Sequence, residues 1–151
     1  MRWQQELKEK GIYRKGLKNG LFTSYHKNGN PKLIEDYIVG KRYRLSKEFD
    51  EQGRLIRITE YSGDFKDGLE TKFKYVNDKQ IKTSTQEYKY FGNKFGLEIH
   101  YRDNGSIKES FCWSFKKDKY TGIVRITKNN YRDKTEVVSN AKGAKVNCET
   151  A

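Results

Sequence analysis

The sequence predicts an all-β protein, an elongated antiparallel sheet of about five successive β-hairpin repeats. Three observations predict it: turn signals recur every 24–28 residues, the runs between them alternate in strand fashion, and aromatic residues return at fixed positions. The clearest copy, residues 96–113, opens with Gly96-Leu97, turns at Asn104-Gly105 and ends at Trp113. Asn-Gly between two alternating runs is typical of a hairpin closed by a two-residue type I′ turn.

The repeat is easiest to follow when Gly96 is taken as position zero. A leucine then stands at position one, an aromatic at five, a glycine at nine and an aromatic at seventeen. The copies begin at Gly20, Arg44, Gly68, Gly96 and Gly122, at spacings of 24, 24, 28 and 26 residues. The Arg44 copy lacks the opening glycine, and the last copy lacks the strand aromatic. Periods of this size indicate a repeat protein in which each unit depends on its neighbours.

Side-chain alternation divides each repeat into two faces. Positions one, three and five share a face, as in Leu97, Ile99 and Tyr101, whereas the opposite face carries charged residues such as Glu98. This pattern predicts a sheet with one buried, apolar side. The aromatic residues expected in this core are Tyr25, Tyr37, Phe49, Tyr61, Phe73, Tyr88, Tyr101 and Trp113. A single layer covers such a face thinly, so we expect it to dimerise, curl on itself or receive a partner.

The periodicity resembles the MORN repeat, and more closely its shorter bacterial variant. The matching residues are Gly20/Leu21/Tyr25/Asn28-Gly29/Tyr37, Gly68/Leu69/Phe73 and Gly96/Leu97/Tyr101/Asn104-Gly105/Trp113, within residues 12–128. The resemblance implies a ribbon of successive hairpins. It also implies an antitoxin-like role, since many bacterial members carry that label.

The domain organisation predicted is an N-terminal cap over residues 1–11, a repeat array over 12–138 and a polar tail over 139–151. Residues 2–10 have a helix-favouring composition, with Trp3 and Leu7 one turn apart and Gly11 as a stop. A short helix and an edge strand both fit this segment. Hydrophobic residues make up only 34% of the chain, which is compatible with disorder, but the aromatic periodicity favours a folded sheet.

The net charge of +12 points to an anionic partner. Residues 116–145 are rich in Lys and Arg, with aromatic residues interleaved. The residues predicted to bind a partner are Arg42, Arg44, Phe115, Lys116, Lys117, Lys119, Arg125, Tyr131, Arg132 and Lys134. Nucleic acid, anionic lipid and an acidic protein all fit a positive surface, and a purely solubilising surface fits it as well.

No catalytic constellation stands out in the sequence. His26 and His100 are far apart, and neither these nor Cys112 and Cys148 have metal-ligand spacing. We therefore expect no enzyme activity, no cofactor and no metal. The chain also contains no apolar run of transmembrane length and no hydrophobic signal core at its N-terminus, so a cytoplasmic location is expected.

Two functions compete at this point. The first is a non-enzymatic binding module that neutralises or inhibits a protein partner by steric masking, as an antitoxin, an immunity protein or a defence-system inhibitor would. The second is a basic surface that binds nucleic acid or an anionic membrane, with Tyr131 and Phe115 available to stack on bases.

Overall fold

The computed structural model describes residues 8–89, 91–116, 119–129 and 132–136, and every regular element in them is a β-strand. The prediction of an all-β chain of successive hairpins is confirmed. The strands are β1 (Glu9–Lys10), β2 (Tyr13–Arg14), β3 (Leu17–Lys18), β4 (Gly20–Tyr25), β5 (Pro31–Ile38), β6 (Lys41–Phe49), β7 (Leu55–Ser62), β8 (Phe65–Val76), β9 (Lys79–Lys89), β10 (Asn93–Tyr101), β11 (Ile107–Lys116), β12 (Lys119–Asn129) and β13 (Arg132–Glu136).

The chain divides into two compact units, residues 1–66 and residues 67–151. In the first unit, antiparallel strands follow the order β1-β4-β5-β6-β7, and β2 and β3 form a small separate hairpin. In the second unit, β8 to β13 pair antiparallel in chain order, and β8 begins two residues before the boundary. The predicted array over 12–138 covers parts of both units.

Three of the turns inside the repeats differ from the prediction. Arg102 N–H donates to Ser106 O at 2.8 Å and Gly105 N–H donates to Arg102 O at 2.9 Å, so three residues form the loop. Gly105 has a φ of 82°, and Asn104 keeps an ordinary negative φ. The type I′ prediction at Asn104-Gly105 is therefore wrong, because Asn104 Oδ1 accepts the Ser106 N–H at 3.0 Å and closes a local turn instead. The loops around Gly29 and Gly53 have the same backbone bonds.

Type I′ geometry, with positive φ at both residues of a two-residue turn, occurs at Asn77-Asp78 inside the Gly68 repeat (50° and 59°) and in two links between repeats, Val39-Gly40 (49° and 78°) and Gly63-Asp64 (60° and 74°). Each of these turns joins two strands by two residues, as its twist allows. The link that contains Phe91 and Gly92, which also have positive φ, is longer, because β9 ends at Lys89 and β10 begins at Asn93.

The backbone angle φ is positive at position zero in all four described copies. The φ values are 91° at Gly20, 62° at Arg44, 114° at Gly68 and 62° at Gly96. At Gly20 an added Cβ would meet no atom within 4 Å, so the need for glycine there comes from the backbone angle and not from crowding. Arg44 adopts the same left-handed conformation without being glycine.

Burial within the repeat also differs from the prediction. Three of the position-one leucines, expected in the core, are exposed: Leu21 by 66%, Leu45 by 43% and Leu69 by 39%, whereas Leu97 is half-buried. Position two, assigned to the charged outer face, is buried in three copies and holds Phe22, Ser46 and Glu70. Phe22 packs against the rings of Tyr13 and Tyr37. It is the one buried hydrophobic side chain among residues 8–89, 91–110 and 113, the residues whose burial the structure describes.

The chain before β4 covers Phe22. Strand β1 pairs with β4, and the Tyr13 ring stands edge-on to the Phe22 ring at 5.1 Å. Glu9–Lys10 is thus an edge strand, one of the two structures that fit the N-terminal segment. Residues 1–7, where most of the alternative helix was predicted, and the predicted tail 139–151 lie outside the described residues.

Gly11→Ala tests this packing. A Cβ on Gly11 would overlap the ring of Phe22, which Tyr13 and Tyr37 hold from other sides. We expect the substitution to lower the free energy of unfolding by about 1–3 kcal/mol, the usual cost of overpacking, in urea unfolding followed by circular dichroism. Ile12→Ala is the control, since Ile12 is 67% exposed and should change stability by less than about 0.5 kcal/mol. Equal stability of the two variants would contradict the packing described.

Candidate protein-binding face

A basic side chain lies over an aromatic ring in three of the repeats. The cation comes from two residues before position zero and the ring from position seventeen. Lys18 Nζ is 5.0 Å from the centre of the Tyr37 ring, the Arg42 guanidinium 4.3 Å from Tyr61, and Lys94 Nζ 4.6 Å from Trp113. We call these the basic–aromatic pairs. In each pair the ring belongs to the residue that is paired with position zero on the neighbouring strand. Where position zero is glycine, no side chain at that position competes with the ring for space.

Carboxylates complete the pairs in the first unit. The Tyr37 hydroxyl donates to Glu35 at 2.8 Å, and Arg42 Nε contacts Asp64 Oδ1 at 3.3 Å. Burial, and then the bond to Glu35, raises the pKa of Tyr37 above its usual range. Hydrogen bonds from Arg42, first from its backbone N–H, lower the pKa of Asp64. Arg42, predicted to bind a partner, is therefore engaged within its own repeat.

In the second unit the carboxylate is Glu98, at position two. It accepts hydrogen bonds from Lys94 Nζ at 2.9 Å, His100 Nε2 at 2.8 Å and Trp113 Nε1 at 2.7 Å. Burial alone would raise the pKa of Glu98, but these three bonds outweigh it and the pKa is lowered. His100 is part of this cluster.

The other histidine joins two repeats of the first unit. His26 Nε2 lies 2.9 Å from Phe49 O, and the side-chain amides of Asn28 and Asn30 donate to Glu51 O at 2.6 and 2.7 Å. The loop of one repeat is thus bound to the backbone of the next. Within the part of the chain that the structure describes, no group of three or more His, Cys, Asp or Glu residues could hold a metal ion.

One face of the first unit carries exposed apolar residues. Leu21 is paired with Asp36 across β4 and β5, and Asp36 with Tyr43 across β5 and β6. Alternation from these pairs places Leu21, Ile38 and Leu45 on the same face, each of them exposed. We call this surface the Leu21 face. The Arg44 guanidinium reaches it, with Nη1 3.6 Å from Asp36 Oδ2 and a side chain that is 79% exposed.

The other predicted binding residues lie in the second unit. Phe115 and Lys116 end β11, Lys119 and Arg125 lie in β12, and Arg132 and Lys134 lie in β13. The register places Lys116 opposite Lys119, and Lys134 opposite Thr127. The side chains of these six residues, and all of Lys117 and Tyr131, lie outside what the structure describes.

The sequence interpretation missed two features of this region. It assigned the position-one leucines to the core, and it did not notice the basic residue two places before position zero. A signal for the second was present, because Lys18, Arg42, Lys66 and Lys94 recur at that place.

Comparison with known proteins returns no match to a protein-family model and no match among curated proteins. The likeness to the MORN repeat therefore rests on the repeat residues themselves. No helix in the described residues is long and apolar enough to cross a membrane.

The basic–aromatic pair of the second repeat can be tested with Arg42→Gln. The change removes the cation over Tyr61 and the side-chain contact to Asp64, which keeps only the hydrogen bond from the backbone N–H of residue 42, so we expect the free energy of unfolding to fall by about 1–2 kcal/mol. The matched control is Lys41→Gln, an exposed neighbour in the same strand, which should change it by less than about 0.5 kcal/mol. Urea unfolding of both variants measures this difference. An equal loss of free energy of unfolding in both would show that removal of a positive charge alone is responsible.

Glu98 predicts a dependence of stability on pH. Its pKa is lower in the folded protein than in the unfolded chain, so its contribution is present above the unfolded value of about 4.3 and is lost as pH falls through the folded value. Glu98→Gln should lower stability at neutral pH and flatten the decline below about pH 5, measured by urea unfolding across pH. Glu51→Gln, an exposed loop carboxylate, is the control at neutral pH. An unchanged pH profile in Glu98→Gln would contradict the role of the cluster.

Proposed function

We propose that this protein is a non-enzymatic binding module that neutralises a protein partner by covering part of its surface. The observation that carries the proposal is the Leu21 face, where three aliphatic side chains are exposed on a regular strand scaffold. Clustered apolar side chains at a surface are typical of protein contact sites. These residues stand on hydrogen-bonded strands, so their backbone is already ordered before binding.

The mode of action follows from the shape of a sheet. Paired strands present a row of regularly spaced side chains, which suits masking of a partner's functional region. The resemblance to bacterial MORN variants supports an antitoxin, immunity or inhibitor role. A cytoplasmic location goes with this proposal.

Binding of nucleic acid or an anionic membrane is the second candidate, favoured by the net charge of +12. Against it, the rings of Tyr37 and Tyr61 are covered by Lys18 and Arg42, so neither offers an open platform for a base. The exposed side chains at the Leu21 face are aliphatic and offer no stacking surface either. The side chains of the Leu21 face therefore favour a protein partner.

The test is co-purification from the native host at about physiological ionic strength, with and without nuclease. We expect one dominant protein that survives nuclease treatment and higher salt. The double variant Leu21→Ser/Leu45→Ser should recover at least about tenfold less of it, since buried interface anchors each contribute more than about 1 kcal/mol.

The matched control is Ile12→Ser/Val39→Ser, which removes two aliphatic side chains of similar exposure, 67% and 65%, outside the Leu21 face. It should retain the partner. Recovery of nucleic acid or lipid that is lost at high salt would instead support the second candidate. Equal retention by both double variants would remove the Leu21 face from the proposal.

A further inference from the structure

Arg44 breaks the rule of the repeat at the Leu21 face. Position zero has positive φ in the four described copies, and the other three are glycine. A residue with a Cβ is disfavoured in this conformation, because the Cβ approaches its own carbonyl oxygen. A glycine at position 44 would adopt the same positive φ without that strain.

The contacts of Arg44 within the fold are weak. Its described ion pair with Asp36 is 3.6 Å long and the side chain is 79% exposed, a geometry that contributes little in water. By contrast, Arg54 Nε lies 2.8 Å from Asp50 Oδ2, and Arg57 is paired with Glu48. Arg42 is held by the Tyr61 ring and by the carboxylates of Glu35 and Asp64. The strained backbone of Arg44 is therefore not offset by a strong internal contact.

The surroundings of Arg44 fit a carboxylate from another molecule. Residues 8–66 contain 14 Lys and Arg against 8 Asp and Glu. Six of those eight acids are in described ion pairs, which leaves an excess of exposed positive charge. A guanidinium presents five donors and binds carboxylates in a bidentate way, and aliphatic neighbours exclude water from such a contact.

We propose that Arg44 is the specificity-determining contact of the Leu21 face and binds an aspartate or glutamate side chain that is flanked by aliphatic residues in an acidic protein partner. This rests on the proposed function and names the chemistry of the partner. Leu21, Ile38 and Leu45 pack against the partner's aliphatic residues. The partner's carboxylate either replaces Asp36 at the Arg44 guanidinium or binds beside it.

The first arm of the test separates recognition from stability. Arg44→Gly removes the side chain and relieves the backbone, so its urea midpoint should be equal to or higher than that of the unmodified protein. Lys47→Gly, on the same strand but without positive φ, removes the same charge and should lower the midpoint. An equal decrease in both variants would make Arg44 a structural residue and overturn the proposal.

The second arm measures binding with a defined probe. The peptide acetyl-Leu-Asp-Leu-amide is titrated at millimolar concentration against ¹⁵N-labelled protein, and the Arg44 Nε–H signal is followed. It should shift saturably, with about tenfold weaker binding of acetyl-Leu-Asn-Leu-amide, because a charge-assisted hydrogen bond is lost. Inorganic phosphate should bind no more tightly than the Asp peptide. Absence of a shift, or tighter binding of phosphate, overturns the proposal.

The third arm distinguishes failure of this inference from failure of the proposed function. The host co-purification is repeated with Arg44→Gly and with Lys47→Gln. Loss of the partner in Arg44→Gly alone supports the role of Arg44. Equal retention by both variants overturns that role and leaves the proposed function standing, whereas recovery of no protein by the unmodified chain overturns the proposed function itself.

Discussion

The basic–aromatic pair is the interaction on which the described structure depends most. A one-layer sheet cannot enclose a hydrophobic core, and Phe22 is the single buried hydrophobic residue among those whose side-chain burial the structure describes. The long stems of Lys18, Arg42 and Lys94 instead cover aromatic rings, with the charged ends held at carboxylates. Apolar surface is thereby removed from water while every charge remains solvated or paired.

The pair also explains the rest of the repeat. The ring stands opposite position zero, and the positive φ at that residue leaves the strand locally irregular. A two-residue link then returns the chain, and its N–H bonds the carbonyl of the basic residue: Gly40 to Lys18 and Asp64 to Arg42. The side chain of the basic residue thus contacts the ring, and its backbone carbonyl accepts a hydrogen bond from the link that follows the ring. Each hairpin therefore forms together with its link.

The sequence predicted the strands and the repeat spacing, because alternating runs and turn residues mark where strands begin and end. It did not predict which face is buried. Position two holds the buried residues Phe22, Ser46 and Glu70, whose polarities have nothing in common, and Phe22 is covered by Tyr13 and Tyr37 from other strands. Arg44 was predicted to bind a partner because of its charge. The argument for its role depends on its positive φ, which is visible only in the structure. Arg42, chosen for the same reason, belongs to the fold.

The contacts between adjacent loops have an evolutionary consequence. His26, Asn28 and Asn30 all bind main-chain oxygens of the following loop, at Phe49 and Glu51. Because every residue type has a carbonyl oxygen, the accepting loop can change its side chains freely while the contact persists. At this junction the side chains of the accepting loop are therefore free to vary, whereas His26, Asn28 and Asn30 are constrained. Such asymmetry lets the tip of the accepting hairpin diversify without loss of the contact between the two loops.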